Sequence, residues 1–179
     1  MFGIGRHGVA VALGAVMLAG STLVWGPASQ ATTGGEGSVG CVGHSESRYG
    51  PPLTLLARPT HVHADITYAC GAHGRTIPAT GSFDSEAPAA SCVAVAGGSG
   101  TETVRYAGGG RSLIVYDGAT TLRVAGALVV IQRGRVVEGR GQGHAVQRTI
   151  TGLPRELPTE CLTSGLRGGG NEVQLEMEP

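Results

Sequence analysis

The run His61-Val62-His63-Ala64-Asp65 places three potential metal ligands at every second residue. Alternate side chains of an extended chain share a face, so His61, His63 and Asp65 would project together from one strand. His-x-His pairs suit zinc or copper, and a neighbouring carboxylate could complete or orient such a site. One strand supplies only a row of donors, however, and a closed metal centre needs others converging from elsewhere; His44 and His73 are the candidates. The plainer reading is the polar face of an amphipathic strand, where such residues are expected.

Other chemistry is fainter still. The chain has no Gly-x-Ser-x-Gly elbow and no Cys-x-x-Cys pair, so neither a serine hydrolase of that type nor a zinc or redox cysteine motif is indicated. Asp84 and Glu86 are a pair of acids of the kind glycosidases use, but they precede Pro88 in what reads as a solvated polar loop. Gly139-Arg140-Gly141-Gln142-Gly143 has the glycine count of a phosphate loop without the helix that must follow it. Arg133, Arg135 and Arg140 could form an anion site only if local bulging brought them to one face. No catalytic residue and no cofactor is assigned.

These residues sit on strands and turns. From Thr60 the chain alternates, with Val62, Ala64, Ile66, Tyr68 and Cys70 on one face and His61, His63, Asp65 and Thr67 on the other. Strand-like stretches recur at 92–95, 101–107, 112–116, 121–124, 128–132, 136–139, 145–150 and 172–177. Turn-forming runs lie between them: Gly97-Gly98-Ser99-Gly100, Gly108-Gly109-Gly110, Asp117-Gly118 and Gly168-Gly169-Gly170-Asn171. Past the amino terminus no window shows helical spacing. Glycines within strands, at Gly126, Gly134, Gly139, Gly141 and Gly143, point to bulges or strong coiling. The expected fold is all-β, a curved β-sandwich or partly closed barrel of about eight to ten short strands.

The amino terminus reads as an export signal. Gly8 to Val24 carries no charge, Gly26-Pro27 breaks a helix, and Ser29 and Ala31 suit a signal peptidase, so residues 1–31 are expected to be removed, with cleavage after Ala28 as the alternative. An uncleaved anchor over the same stretch is the competing reading, though the segment is short and glycine-rich. Residues 32–179 would then form a single secreted domain with a flexible leader over 32–40. Twelve Arg face thirteen acids in that part and Lys is absent, so no chain-wide field favours nucleic acid or anionic membrane. No later run is long enough to insert in a bilayer as a helix.

Its four cysteines, Cys41, Cys70, Cys92 and Cys161, imply two disulfides in an exported chain. A hairpin turning through Pro51-Pro52 to Pro59 would set Cys41 opposite Cys70 and leave Cys92 with Cys161. Pairing of Cys70 with Cys92 and Cys41 with Cys161 stays open. Either arrangement closes long loops, at roughly 3 to 4 kcal/mol per bridge.

The run Gly134-Arg135-Val136-Val137-Glu138-Gly139-Arg140-Gly141-Gln142-Gly143, then Leu153-Pro154, Leu157 and Cys161-Leu162-Thr163-Ser164-Gly165-Leu166, resembles a group of small secreted actinobacterial proteins of uncharacterised function. Thr67-Tyr68-Ala69-Cys70, Gly81-Ser82-Phe83 and Ser91-Cys92 extend the likeness upstream. Gly141 departs from it, standing where that group tends to carry an aromatic. The resemblance implies secretion and an all-β domain, with no catalytic residue to carry over. His61 to Asp65 also resembles the start of the metallo-β-lactamase His-x-His-x-Asp-His motif, but Ile66 replaces the last His and a helix-poor chain does not suit that α/β fold. The expected function is therefore a non-enzymatic extracellular binding or cell-surface-associated domain with an extracellular partner. A secreted metal-binding protein or hydrolase centred on His61, His63 and Asp65 is the alternative, and a protease inhibitor the third.

Overall fold

Alternation of small or apolar residues with polar ones runs through almost every segment, and each such segment is a strand with one face turned inward. The computed structural model describes residues 38–72, 74–96, 98–124, 127–152 and 159–179. The expected signal peptide, most of the leader, His73, Gly97, Gly126, Leu153-Pro154 and Leu157 lie outside them.

The strands are β1 (Val39–Leu53), β2 (Arg58–Ala72), β3 (Arg75–Ala90), β4 (Val95–Ala96), β5 (Gly100–Tyr106), β6 (Arg111–Val124), β7 (Ala127–Gly139), β8 (Ala145–Thr151) and β9 (Leu166–Glu178). Every neighbour is antiparallel, in the order β2-β1-β9-β8-β7-β6-β5-β3, and β2 pairs in turn with β3. Eight strands thus close an up-and-down barrel, with β4 added alongside the end of β3. Closure removes the exposed sheet edges that an open sheet would have to protect. Among the described residues the regular structure is strand apart from one 3-10 turn at Thr159–Leu162, and no described helix is long and apolar enough to cross a membrane.

The all-β expectation holds, and of its two forms the barrel is the one observed. Several local expectations do not hold. The strands are longer than read, because 112–116 joins 121–124 in β6 and 128–132 joins 136–139 in β7. Asp117-Gly118 is a register shift inside β6 rather than a turn. Gly168 to Asn171 pairs with β1 inside β9. Residues 92–94 are a turn, closed by the Ser91 N–H donating to the Ala94 carbonyl at 2.8 Å. Asp84 and Glu86 lie on β3, not in a loop, and β1 already begins at Val39 within the expected leader. Gly139 ends β7, while Gly141 and Gly143 lie in the turn to β8 with φ of 73° and 90°.

Both preferred disulfides form, Cys41–Cys70 and Cys92–Cys161. Cys41 and Cys70 are register partners on β1 and β2. Cys92 and Cys161 tie the segment after β3 to the 3-10 turn before β9. Inside, Ile66, Val104, Ile114, Val136, Val173 and Leu175 form the centre of the core, none more than 2% exposed.

Candidate functional site

Parity decides which side chains enter the barrel. Glu102 shares an inward face with Val104 and Tyr106 on β5, and Arg148 shares one with Val146 on β8. Both are fully enclosed, at 0% and 1% exposure. Glu102 Oε1 accepts the Tyr68 hydroxyl at 2.7 Å and its Oε2 accepts that of Tyr116 at 2.7 Å. Arg148 Nε lies 3.7 Å from Glu102 Oε2, and Nη1 donates to Gln132 Oε1 at 3.3 Å. The guanidinium also sits 4.3 Å from the centre of the Phe83 ring, a cation–π contact in a desolvated setting.

This polar girdle occupies the barrel's middle. Opposite charges in contact offset the desolvation each would suffer alone. Burial first, then the Glu102 charge, holds the Tyr68 and Tyr116 phenols well above their ordinary range. Burial works against the Arg148 charge, but the Glu102 carboxylate leads the groups that outweigh it, and its pKa is raised. Gly81 makes the arrangement possible: a Cβ there would stand 2.7 Å from Glu102 Oε1 and 2.9 Å from Tyr68 Cε2.

On one side of the girdle the barrel opens. The ends of β1, β3, β6 and β8 and the starts of β2, β7 and β9 surround a cavity of about 240 Å³. Its walls are largely apolar, with Leu53, Val62, Leu128, Val130 and Ile150 among them, and Phe83, Ser85 and Gln132 lie toward the girdle. Among the described lining residues there is no carboxylate and no imidazole, and the one cysteine, Cys92, is oxidised. Burial pushes the Tyr49 phenol up, while hydrogen bonding to Ser47 and Asn171 opposes it. The Cys92–Cys161 bridge holds the rim, where the Cys92 N–H donates to the Thr54 carbonyl at 2.9 Å. Beside it Leu56 and Leu162 stand 81% and 66% exposed.

The opposite end is tighter. A cavity of about 150 Å³ lies among Tyr106, Arg140, His144 and Met177. Arg140 stacks 4.5 Å from the Tyr106 ring centre, and its carbonyl accepts the Ser112 hydroxyl at 2.7 Å.

The residues singled out from sequence lie on the outer wall. His63 Nδ1 is 2.9 Å from Asp84 Oδ1, His61 Nε2 is 3.6 Å from the same oxygen, and His63 Nε2 is 3.5 Å from Asp65 Oδ1. Arg48 takes the other Asp65 oxygen at 3.1 Å. The hydrogen bond to Asp84 raises the His63 pKa against partial desolvation. His44 is held apart from this group by its own pairings to Glu46 at 2.9 Å and Glu172 at 3.5 Å. Among the described residues no three His, Cys, Asp or Glu side chains gather in a way that could hold a metal ion. Glu86 faces outward, as do Arg133 and Arg135, whereas Arg140 lies at the tight end of the barrel.

Sequence reasoning passed over Glu102, Arg148 and Gln132. The signal was there: each is a polar residue at an inward position of an alternating strand. Comparison with protein-family models, curated proteins and solved structures finds no match. The functional reading therefore rests on the barrel's own geometry.

Proposed function

We propose that this is an exported, non-enzymatic binding protein whose open barrel end holds a small, largely apolar molecule. The carrying observation is the cavity of about 240 Å³ above the polar girdle. Eight-stranded barrels have interiors that side chains can just fill or that hold one small ligand, and here one end is left unfilled. Scaling from the 150 Å³ apolar cavity that takes benzene, the space suits about ten non-hydrogen atoms. A lining without carboxylate or imidazole among its described residues favours holding a molecule over acid–base turnover.

Export is part of the same proposal. The amino-terminal signal pattern supports it, and two disulfides are the chemistry of an oxidising compartment. Titration of the ¹⁵N,¹³C-labelled domain with naphthalene tests the binding reading. Saturable shifts should centre on the methyl groups of Val62, Val130 and Ile150, and Ala119→Trp, which fills the wall from β6, should abolish them. Shifts confined to the outer wall, or none, would reject it.

A further inference from the structure

We infer that Gln132 selects ligands bearing a neutral carbonyl oxygen at the end that enters the barrel first. The inference rests on the cavity reading above and adds the chemistry of the ligand. Gln132 on β7 and Arg148 on β8 are direct register partners, so their side chains share the inward face. Arginine carries donors and no acceptor, so the Gln132 atom it holds at 3.3 Å must be the oxygen. That contact fixes the amide plane. Arg148 is not among the residues lining the cavity, while Gln132 is; the oxygen therefore points into the girdle, and the amide nitrogen is the end left to meet a guest.

The neighbours sharpen the choice. Ser85 spends its proton on the Ser99 carbonyl at 2.9 Å and presents lone pairs only. Asn171, farther up the wall, directs its amide nitrogen to the Gly169 carbonyl at 3.4 Å. Near the girdle the Gln132 amide is thus the donor, and a cation bonded to its carbonyl polarises it further. A guest that is wholly apolar there would cover that N–H without a partner, which costs more than the bond itself returns. The guest's acceptor is neutral because Arg148 is already matched by Glu102 at 3.7 Å. A carboxylate at the depth of Gln132 would bring in an uncompensated charge, because the other guanidinium on the lining, Arg123, stands at the mouth, four residues along β6 from Ala119, the register partner of Gln132.

Tetralin, 1-tetralone and 2-naphthoate, which share a fused two-ring frame, form the test. Dissociation constants would be measured by NMR titration on wild type, Gln132→Leu and Gln132→Met. Gln132→Met keeps the side-chain length and a weak acceptor toward Arg148 while removing the N–H without adding a charge, and thermal melts of both variants separate loss of the donor from loss of the fold. The preference for 1-tetralone over tetralin in wild type should fall roughly fivefold to tenfold in both variants, with tetralin still bound. A ratio unchanged by either substitution overturns the role of Gln132 and leaves the cavity reading standing. Tighter binding of 2-naphthoate than of 1-tetralone overturns the neutral-carbonyl assignment. Failure of all three to bind wild type overturns the cavity reading and this inference together.

Discussion

At the scale of single residues, Glu102 and Arg148 are the least replaceable members of the interior. Each alone would be an unpaired charge among Tyr68, Phe83, Tyr116 and the aliphatic core. Glu102→Gln or Arg148→Met should therefore each cost about 3–5 kcal/mol in urea unfolding, and the double variant Glu102→Gln/Arg148→Met, which keeps hydrogen-bonding groups for both tyrosine hydroxyls, should recover much of that loss. Additive losses in the double variant would mean that the two charges do not compensate one another. The outer wall behaves differently. His44 and His63 gain carboxylate partners on folding, and hydrogen bonds to Glu46 and Asp84 respectively raise their pKa above the ordinary imidazole value of 6.5. The folded state then binds protons more tightly than the unfolded chain, so this contribution is complete below pH 6.5 and fades as pH rises through the raised values. His63→Asn should flatten that part of the stability profile, measured by thermal melts between pH 5.5 and 8.5, without disturbing the cavity. The His61-Val62-His63-Ala64-Asp65 pattern was legible as an outward row, and that is where it lies. Glu102 and Arg148 were not legible as an ion pair, because nothing local in β5 announces which residue β8 will place beside it.

At the scale of elements, composition and pairing disagree most on β3 and β9. Ala79, Gly81, Phe83, Ser85 and Ala87 form the inward face of β3, and its small, proline-flanked residues read as loop because their intrinsic strand preference is poor. They are required by what they face: the bulk inside the barrel comes from Tyr68, Tyr116 and the girdle, and β3 gives way to it. The Gly168 to Asn171 run misleads for a related reason. Gly168 opposes Arg48 in the β1–β9 ladder, and a Cβ on it would stand 2.3 Å from the Ser47 carbonyl oxygen. Gly169, one step on, has no atom within 4 Å of the same construction. Gly168→Ala should then lose roughly 1–3 kcal/mol through forced separation of the two strands, while Gly169→Ala should be neutral or slightly stabilising by narrowing the unfolded ensemble. Equal effects in chemical denaturation would show that close approach does not explain the glycine run. The alternation of β2 and the turn at Gly108-Gly109-Gly110 were readable directly, since each depends on neighbours in sequence alone.

At the scale of the whole molecule, the two disulfides do different work because they close different circuits. Cys41–Cys70 links register partners of one hairpin across 29 residues, whereas Cys92–Cys161 spans 69 residues and ties two segments whose strands, β3 and β9, are not neighbours in the barrel. Loop-closure entropy alone gives roughly 3.5 kcal/mol for the first and roughly 4.5 kcal/mol for the second. The more telling difference is local. Without the hairpin bridge, the β1–β2 ladder still holds the two strands along eleven paired positions, and the tight end of the barrel stays in place. Without the rim bridge, the segment carrying Cys92 keeps only contacts such as its hydrogen bond to Thr54, so the cavity mouth should open even while the girdle remains folded. Replacing Cys41 and Cys70 by Ala should accordingly lower stability and leave the affinity for naphthalene within twofold. Replacing Cys92 and Cys161 by Ala should lower stability and weaken that affinity by more than the loss of fold accounts for, with hydrogen exchange accelerated at residues 53–57 and 91–94 and not at β5 or β8. Indistinguishable binding in the two double variants would place the bridge outside the mouth's mechanics and leave it a restraint on the unfolded chain alone.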